Sequence, residues 1–439
     1  MWGFTTVEVC VLSVSTALAR LQDGLGESFP DLPGTRIIDV AFPLNDAFDP
    51  LLWCGQQAQW PQFYWQQRNG DEELATLGAV KTFTSLDAAN RFLRQAGRQD
   101  LRICGLNAFE PQQGSLALPR LEWRRCGGRA VLRLVLHSDI SLREDAATAR
   151  AFLASLTTTQ ATPGAIPPLL SERHSSDYPQ WQAMIARATK AISAGEMDKV
   201  VLARATDLQF AAPLDAVSIM AASRRSNLNC FHFLMAFNAR QAFFGSTPER
   251  LWRRRGALLR TEALAGTVAN HQEDAKAQQL ADWLMKDDKN QRENMLVVED
   301  ICQRLQSEAS TLDVLPPQVV RLRKVQHLRR CIWTELAAPD ASRCSCSPPP
   351  RWPACRAGRR WRSFSAMNRF PANGTPGPPG ICHWRKASFA WRCVRRKWTT
   401  TPCGCMPGRG SLAALMHSRS GRRLTTKRPG CARCCVHKA

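Results

Sequence analysis

No run of 18 apolar residues occurs in the 439-residue chain, so no segment is long and apolar enough to read as a membrane-spanning helix. The first 21 residues have apolar patches at Val7, Val9, Val11, Leu12 and Val14, but Glu8 interrupts them and no basic stretch precedes them. A secretory leader needs a basic start and an unbroken apolar core, so residence in the cytoplasm is expected. Acid is also missing from one end of the chain. Residues 337–439 hold a single acidic residue, Asp340, against 21 Lys and Arg, and they carry almost all of the net charge of +22. The preceding 336 residues are near neutral, with 38 basic and 36 acidic side chains. Their seven cysteines (Cys10, Cys54, Cys104, Cys126, Cys230, Cys302 and Cys331) are scattered and odd in number, which suits reduced core thiols better than a disulfide framework.

What is present before Leu336 reads as an ordinary globular enzyme with ample length for a core. Phe63–Arg68 and Glu72–Gly78 flank Asn69-Gly70-Asp71, a pattern that predicts a hairpin with a type I′ turn. A second hairpin is expected over Leu121–Leu136, where Gly127-Gly128 separates two apolar arms and the second arm alternates as a half-buried strand does. From Thr157 to Asp177 the chain turns to Thr, Pro and Ser without periodicity, which predicts a linker. From Tyr178, Trp181, Met184, Ile185, Ala188 and Ile192 recur at helical spacing, and Gly195 follows as a C-terminal cap. Strands are expected from Lys199 through Ala205, at Phe233–Phe237 and at Ala242–Phe244. One or two helices should fill Ala275–Gln306, and a last strand Val319–Trp333. The expected division is a mostly antiparallel β region over 1–165, a catalytic region over 166–336, and a tail over 337–439 without native fold.

Four stretches could carry chemistry: Glu196–Arg204, Gly245–Leu251, Arg260–Thr267 and Asp287–Asp300. Singly, each has an ordinary reading. Lys199 at a strand entrance reads as a solvated lysine, Glu249 after a proline as a turn or first-helical-turn carboxylate, and Gly266 as a turn residue. Glu293 lies one turn before Val297 and so projects toward an apolar helix face. A carboxylate there is costly unless it is paired or binds a cation; a half-exposed salt bridge and a share in an oxygen-rich Mg²⁺ site both answer that need.

Taken together, in order and spacing, the four stretches resemble the chorismate-using enzymes, and residues 20–336 resemble the isochorismate synthases of menaquinone biosynthesis. Trp60–Glu73, Arg260–Asn270 and Asp287–Ile301 carry most of the likeness. The resemblance implies a mixed α+β chorismate-binding fold, with two antiparallel sheets packed face to face and helices outside. It also implies an isomerase that converts chorismate to isochorismate with Mg²⁺ as cofactor. Residue by residue, Lys199 would be the base that activates water for attack at C2, and Glu249 the acid that protonates the departing C4 hydroxyl. Gly266 would lie against the substrate, and Glu293 would be one of two glutamates that hold Mg²⁺. A related chorismate enzyme serving salicylate or siderophore synthesis is the alternative within the family. The expected partner is the small molecule chorismate, with neither nucleic acid nor membrane.

The tail departs from this pattern. The family continues with segments like LQPTAAVAG, EWYAGSAGY and AGAGIV and then a glutamate four residues before a lysine, and none of these follows Leu336. A basic tail with interleaved Trp and Arg, as at Trp384-Arg-Lys and Arg395-Arg-Lys-Trp398, would suit phosphates and bases. The cysteine spacing is poor for zinc, with CxC at Cys344 and Cys403 and CxxC only at Cys431–Cys434. A change of reading frame explains more. Regrouping each codon's last base with the next two turns Ser345–Arg356 into QLQPTAAVAGLP and Asn373–Trp384 into EWYAGSAGYLSL. The same shift turns Met406–Ser411 into YAGAGI and Arg423–Gly430 into EVDNKAAG. The missing motifs return in order under one fixed shift, and the second Mg²⁺ glutamate falls at Arg423. The C-terminal part of the fold is therefore expected to be lost, and the chain as written to be defective.

Overall fold

The computed structural model describes residues 13–43, 48–98, 100–108, 113–126, 128–195, 199–202 and 204–337, and strand backbone at 376–383, 386–391, 398–399 and 435–437. The first part runs α1 (Val14–Gly24), β1 (Gly34–Pro43), α2 (Pro50–Gln56), β2 (Gln62–Gln66), β3 (Glu72–Phe83), α3 (Leu86–Gln95), β4 (Arg102–Ala108), β5 (Gly114–Cys126), β6 (Arg129–Ser138) and α4 (Leu142–Ala154). It continues with β7 (Leu169–His174), α5 (Tyr178–Ser193), β8 (Lys199–Val201), β9 (Thr206–Phe210), α6 (Ala216–Ser226), β10 (Phe231–Asn238), β11 (Gln241–Thr247), β12 (Glu249–Arg255) and β13 (Leu258–Ala269). Then come α7 (Asp274–Lys286), α8 (Asp288–Leu305), β14 (Ala309–Val314), β15 (Gln318–Arg321) and β16 (Val325–Leu336). Four strands follow: β17 (Pro376–His383), β18 (Lys386–Trp391), β19 (Trp398–Thr399) and β20 (Cys435–His437).

The class is mixed α+β, as expected, and the described strand pairs are antiparallel. The main hydrogen-bonded path runs β14-β16-β13-β12-β18-β17-β4-β5-β3-β2-β10-β11-β19. Two runs are thus joined by the β17–β18 hairpin, and β2 pairs with β10 across the point where the linker was expected. Side chains alternate between two cores. Tyr64, Leu234, Ala242 and Phe244 face the core shared with α1, α2, α4 and α6, while Phe63, Trp65, Phe231, Phe233, Met235 and Phe243 fill the opposite face with Cys104 and Leu106. Burial on both faces explains why Phe231–Phe237 is apolar nearly throughout instead of alternating.

Several local expectations need correction. The 67–71 turn is not type I′, which requires positive φ at both central residues. Gly70 has φ +74 but Asn69 does not have positive φ; instead its amide bonds Asp71 at 2.8 Å, and Gly70 N–H donates to the Gln67 carbonyl at 2.9 Å. The expected linker contains β7, which pairs with β9. The strand at Lys199 is three residues long. Val319–Trp333 is not one strand: Leu322 N–H bonds the Val325 carbonyl at 2.9 Å and folds β15 back on β16. Nor is it the last element, since β17–β20 follow.

His232 on β10 is buried, with Nδ1 2.8 Å from Ser246 Oγ, which lies 2.8 Å from Ser223 Oγ on α6. Burial, helped by the Arg224 charge, pushes its pKa down from 6.5 to about 4. The unfolded chain therefore takes up a proton as pH falls below about 6.5, whereas the folded chain does so only near 4. This contribution to stability is complete above pH 6.5 and is lost between 6.5 and 4. Unfolding free energy should fall by roughly 3 kcal/mol across that window. His232→Asn should flatten the fall in a denaturant series run at each pH; an equally steep fall in that variant would contradict the assignment.

Candidate active site

Gly266 interrupts β13 where its register with β16 shifts between Leu264 and Thr267. Its φ is +82, and a Cβ there would meet Asn290 Cβ, the Asn290 carbonyl and Leu328 Cδ1, each at 3.2 Å. Conformation and space both demand glycine. The residue marks a strand bulge, not the turn that its own sequence context suggested.

Helix α8 is pinned over that bulge. Asp287 caps it, accepting the Asn290 N–H at 3.0 Å, and Asn290 Oδ1 accepts the Thr267 N–H at 3.0 Å. One turn on, Asn294 is fully buried. Its Nδ2 lies 3.2, 3.0 and 3.2 Å from the carbonyls of Ala263, Ala265 and Leu328, and its Oδ1 accepts from Arg330 Nη1 at 2.6 Å. Val297, Val298, Ile301 and Leu305 pack below it against Leu259, Ala263 and Ile332. The most buried polar position on the helix is therefore Asn294, and its neighbour Glu293 is half-buried. Asn294→Ala removes a two-hydrogen donor shared among three strand carbonyls at the bulge, and should cost about 2–4 kcal/mol in denaturant unfolding. A loss below about 1 kcal/mol would mean the helix is not anchored there.

Glu249 opens β12 and is buried. It stands in a strand, not in the turn or first helical turn that its local sequence suggested, because β12 pairs with β13 on one side and β18 on the other. Its own N–H lies 3.3 Å from Thr247 Oγ1. Next to it, Arg250 is buried, and its guanidinium lies 5.5 Å from the Phe231 ring centre. Burial pulls its pKa down to about 10 despite the Glu262 carboxylate nearby. Glu262 is buried and takes both Nη atoms of Arg68, at 2.8 and 3.0 Å.

Gly266 and the Glu293 helix are thus brought together, while Glu249 lies on β12, whose far end (Arg253–Arg255) pairs with Leu258–Arg260 at the start of the strand that carries Gly266. Lys199 begins β8, opposite His437 of β20, in a separate two-stranded sheet. Arg423 lies outside the described residues. No group of three or more His, Cys, Asp or Glu side chains that could hold a metal ion occurs among the described residues. Sequence reasoning missed Arg68, Glu262 and Asn294. Arg68 and Glu262 lie inside two of the most telling stretches, but nothing local pairs them.

A family model described as chorismate binding enzyme matches residues 106–342. The chain belongs to the chorismate-binding enzyme family. Within that family it is 62% identical over 333 residues to the isochorismate synthase MenF of Escherichia coli strain K12, covering 76% of this chain and 77% of that one. The isochorismate synthase MenF of Pasteurella multocida is 36% identical over 304 residues, covering 68% and 69%. The solved structure of MenF, the menaquinone-specific isochorismate synthase from Escherichia coli, superposes with TM-score 0.81 at 53% identity, covering 90% of this chain and 91% of that one. A 2,3-dihydroxybenzoate-specific isochorismate synthase structure from Bacillus anthracis, 15% identical with TM-score 0.62, shares the fold. The chorismate-binding enzyme described here is thus of the isochorismate synthase type.

Proposed function

We propose that the gene's intact product is an Mg²⁺-dependent isochorismate synthase that isomerises chorismate to isochorismate for menaquinone supply, and that residues after about 342 are read out of frame. The observation that carries the reaction is the 62% identity to an isochorismate synthase over 333 residues. Moving a hydroxyl from C4 to C2 requires a base and an acid working on opposed sides of one ring. Lys199 takes the base's role, drawing a proton from the attacking water, and its amine must be desolvated or placed near a cation to be neutral near pH 7. Glu249 holds the proton delivered to the departing C4 hydroxyl, and its burial at the head of β12 keeps water from competing for it. Gly266 is the position that the family resemblance puts against the ring; its missing side chain makes room for Asn290 and Leu328, so its part is to hold the bulged backbone in place.

Mg²⁺, when bound, neutralises and orients the substrate carboxylate. The chain as written does not complete a two-glutamate site for it: Glu293 is the one matching carboxylate, and the second position is Arg423. Oxygen-rich Mg²⁺ sites use one or two carboxylates with water and substrate oxygens, so the restored frame is what would supply the full pair. Three observations favour the frame change. The family match ends at residue 342, just before Ser345, where the first regrouped motif begins. Strand β17 sits inside the sheet between β4 and β18, although Pro376, Pro378 and Pro379 have no N–H to give to a ladder, and its register breaks between Pro376 and Pro379. That strand overlaps residues 373–384, which regroup as EWYAGSAGYLSL.

The test is an assay of the frame-restored protein with chorismate and Mg²⁺, with product identification. Isochorismate as the product supports this reading; direct formation of salicylate would move the enzyme to the salicylate-forming branch.

A further inference from the structure

The peptide groups on both sides of Glu249 are held by one distant ion pair. Arg68, just after β2, donates from Nη1 to the Pro248 carbonyl at 2.7 Å. The same guanidinium forks onto Glu262 Oε1 and Oε2 at 2.8 and 3.0 Å. Glu262 Oε1 in turn accepts the Arg250 N–H at 2.8 Å. The carbonyl before Glu249 and the amide after it are therefore fastened through two side chains, one on each side of the molecule's main sequence division. Phe231 lies beneath both guanidiniums, 4.9 Å from that of Arg68 and 5.5 Å from that of Arg250. The Glu262 side chain is 0% exposed and that of Arg68 12% exposed.

We infer that Arg68 and Glu262 are positioning residues that fix the backbone at Glu249, so that its carboxyl is aimed at the leaving hydroxyl. The inference rests on the reading of Glu249 as the acid. A purely structural staple between the β2–β3 turn and the β12–β13 pair is the ordinary alternative. Two features favour positioning. Buried ion pairs contribute little net stability relative to apolar packing, so a shielded bidentate pair is poorly explained as a staple. Its remaining hydrogen bonds also go to the two backbone groups that set residue 249, which is where a small displacement matters: an error of about 1 Å at a reacting group can cost about a hundredfold in rate.

The test uses the frame-restored, full-length protein. Arg68→Gln is expected to lower kcat by roughly 30- to 100-fold with the chorismate KM changed by less than about threefold. Arg68→Lys should recover part of the loss, since an ammonium can still donate to Glu262 or Pro248. In a Glu249→Gln background, adding Arg68→Gln should change kcat by less than about threefold, because the group being aimed is already gone. Equal fold-losses in both backgrounds would overturn the inference, as would a loss confined to KM. Unchanged kcat in Glu249→Gln alone would instead remove the acid reading beneath it. In the frame-restored protein, Arg68→Gln should also speed hydrogen exchange at the Arg250 amide at least about tenfold and leave the β5–β6 amides unchanged. Unaltered exchange at Arg250 would contradict the clamp.

Discussion

Turnover of chorismate to isochorismate is expected to rise at least about a thousandfold when the gene is read in the frame that restores the segments after residue 342. The 439-residue chain itself should be near background. Its described part keeps the β12–β13 pair, the Gly266 bulge and the Glu293 helix, but on the proposed reading the position of the second metal glutamate is occupied by Arg423. The slot between β12 and β4 is filled by two strands, β18 and the proline-bearing β17, and a strand that cannot donate regularly leaves its neighbours' carbonyls unpaired. Poor sheet closure exposes edges and apolar surface, so the uncorrected chain should also aggregate on expression. A parallel assay of both forms, with soluble yield and a thermal scan, checks this. Comparable turnover in the two forms, or a single cooperative transition from soluble 439-residue protein, would count against it.

In the restored enzyme, Lys199→Ala and Glu249→Gln should each lower kcat by about 10²- to 10⁴-fold. The reason is chemical. In the proposed mechanism, a base at Lys199 and an acid at Glu249 serve opposite ends of one isomerisation, and neither alanine nor an amide can perform the transfer. Glu293→Gln should behave differently, raising the Mg²⁺ concentration needed for half-maximal rate more than it lowers the saturated rate. Steady-state kinetics over chorismate and Mg²⁺ separate these cases, and a Lys199→Ala or Glu249→Gln enzyme within threefold of the parent would sink that residue's role.

Much of the fold was legible in short patterns. The helix from Tyr178 to Ser193, with Gly195 at φ +69 just past its end, follows from apolar spacing and the glycine stop signal. The β5–β6 hairpin follows from alternation across Gly127-Gly128. What patterns could not reach depends on partners far away in the chain. The turn at Leu322 is invisible in a segment without Gly or Pro until β15 is seen to fold back on β16. Glu249 reads locally as a turn or helix-start residue, and only its place at the head of β12, opposite Trp391 of β18, makes it a strand residue. The candidate residues Lys199, Glu249, Gly266 and Glu293 came from resemblance, since each alone has an ordinary explanation. The Arg68–Glu262 pair spans 194 positions, and no periodicity connects residues at that separation. Asn294 was overshadowed by the neighbouring charge at Glu293, although a neutral amide with two donors and an acceptor is the better fit to a site that sets strand carbonyls beside an arginine.

The most direct test of the whole account is the nucleotide sequence across codons 336–345, translated in all three frames through to the end of the gene. The account predicts that the frame joining each codon's last base to the next two is open from about codon 343. It should encode the QLQPTAAVAGLP, EWYAGSAGYLSL, YAGAGI and EVDNKAAG segments before any stop. A stop in that frame ahead of the last segment, or codons at Arg423 that cannot yield glutamate, would contradict it.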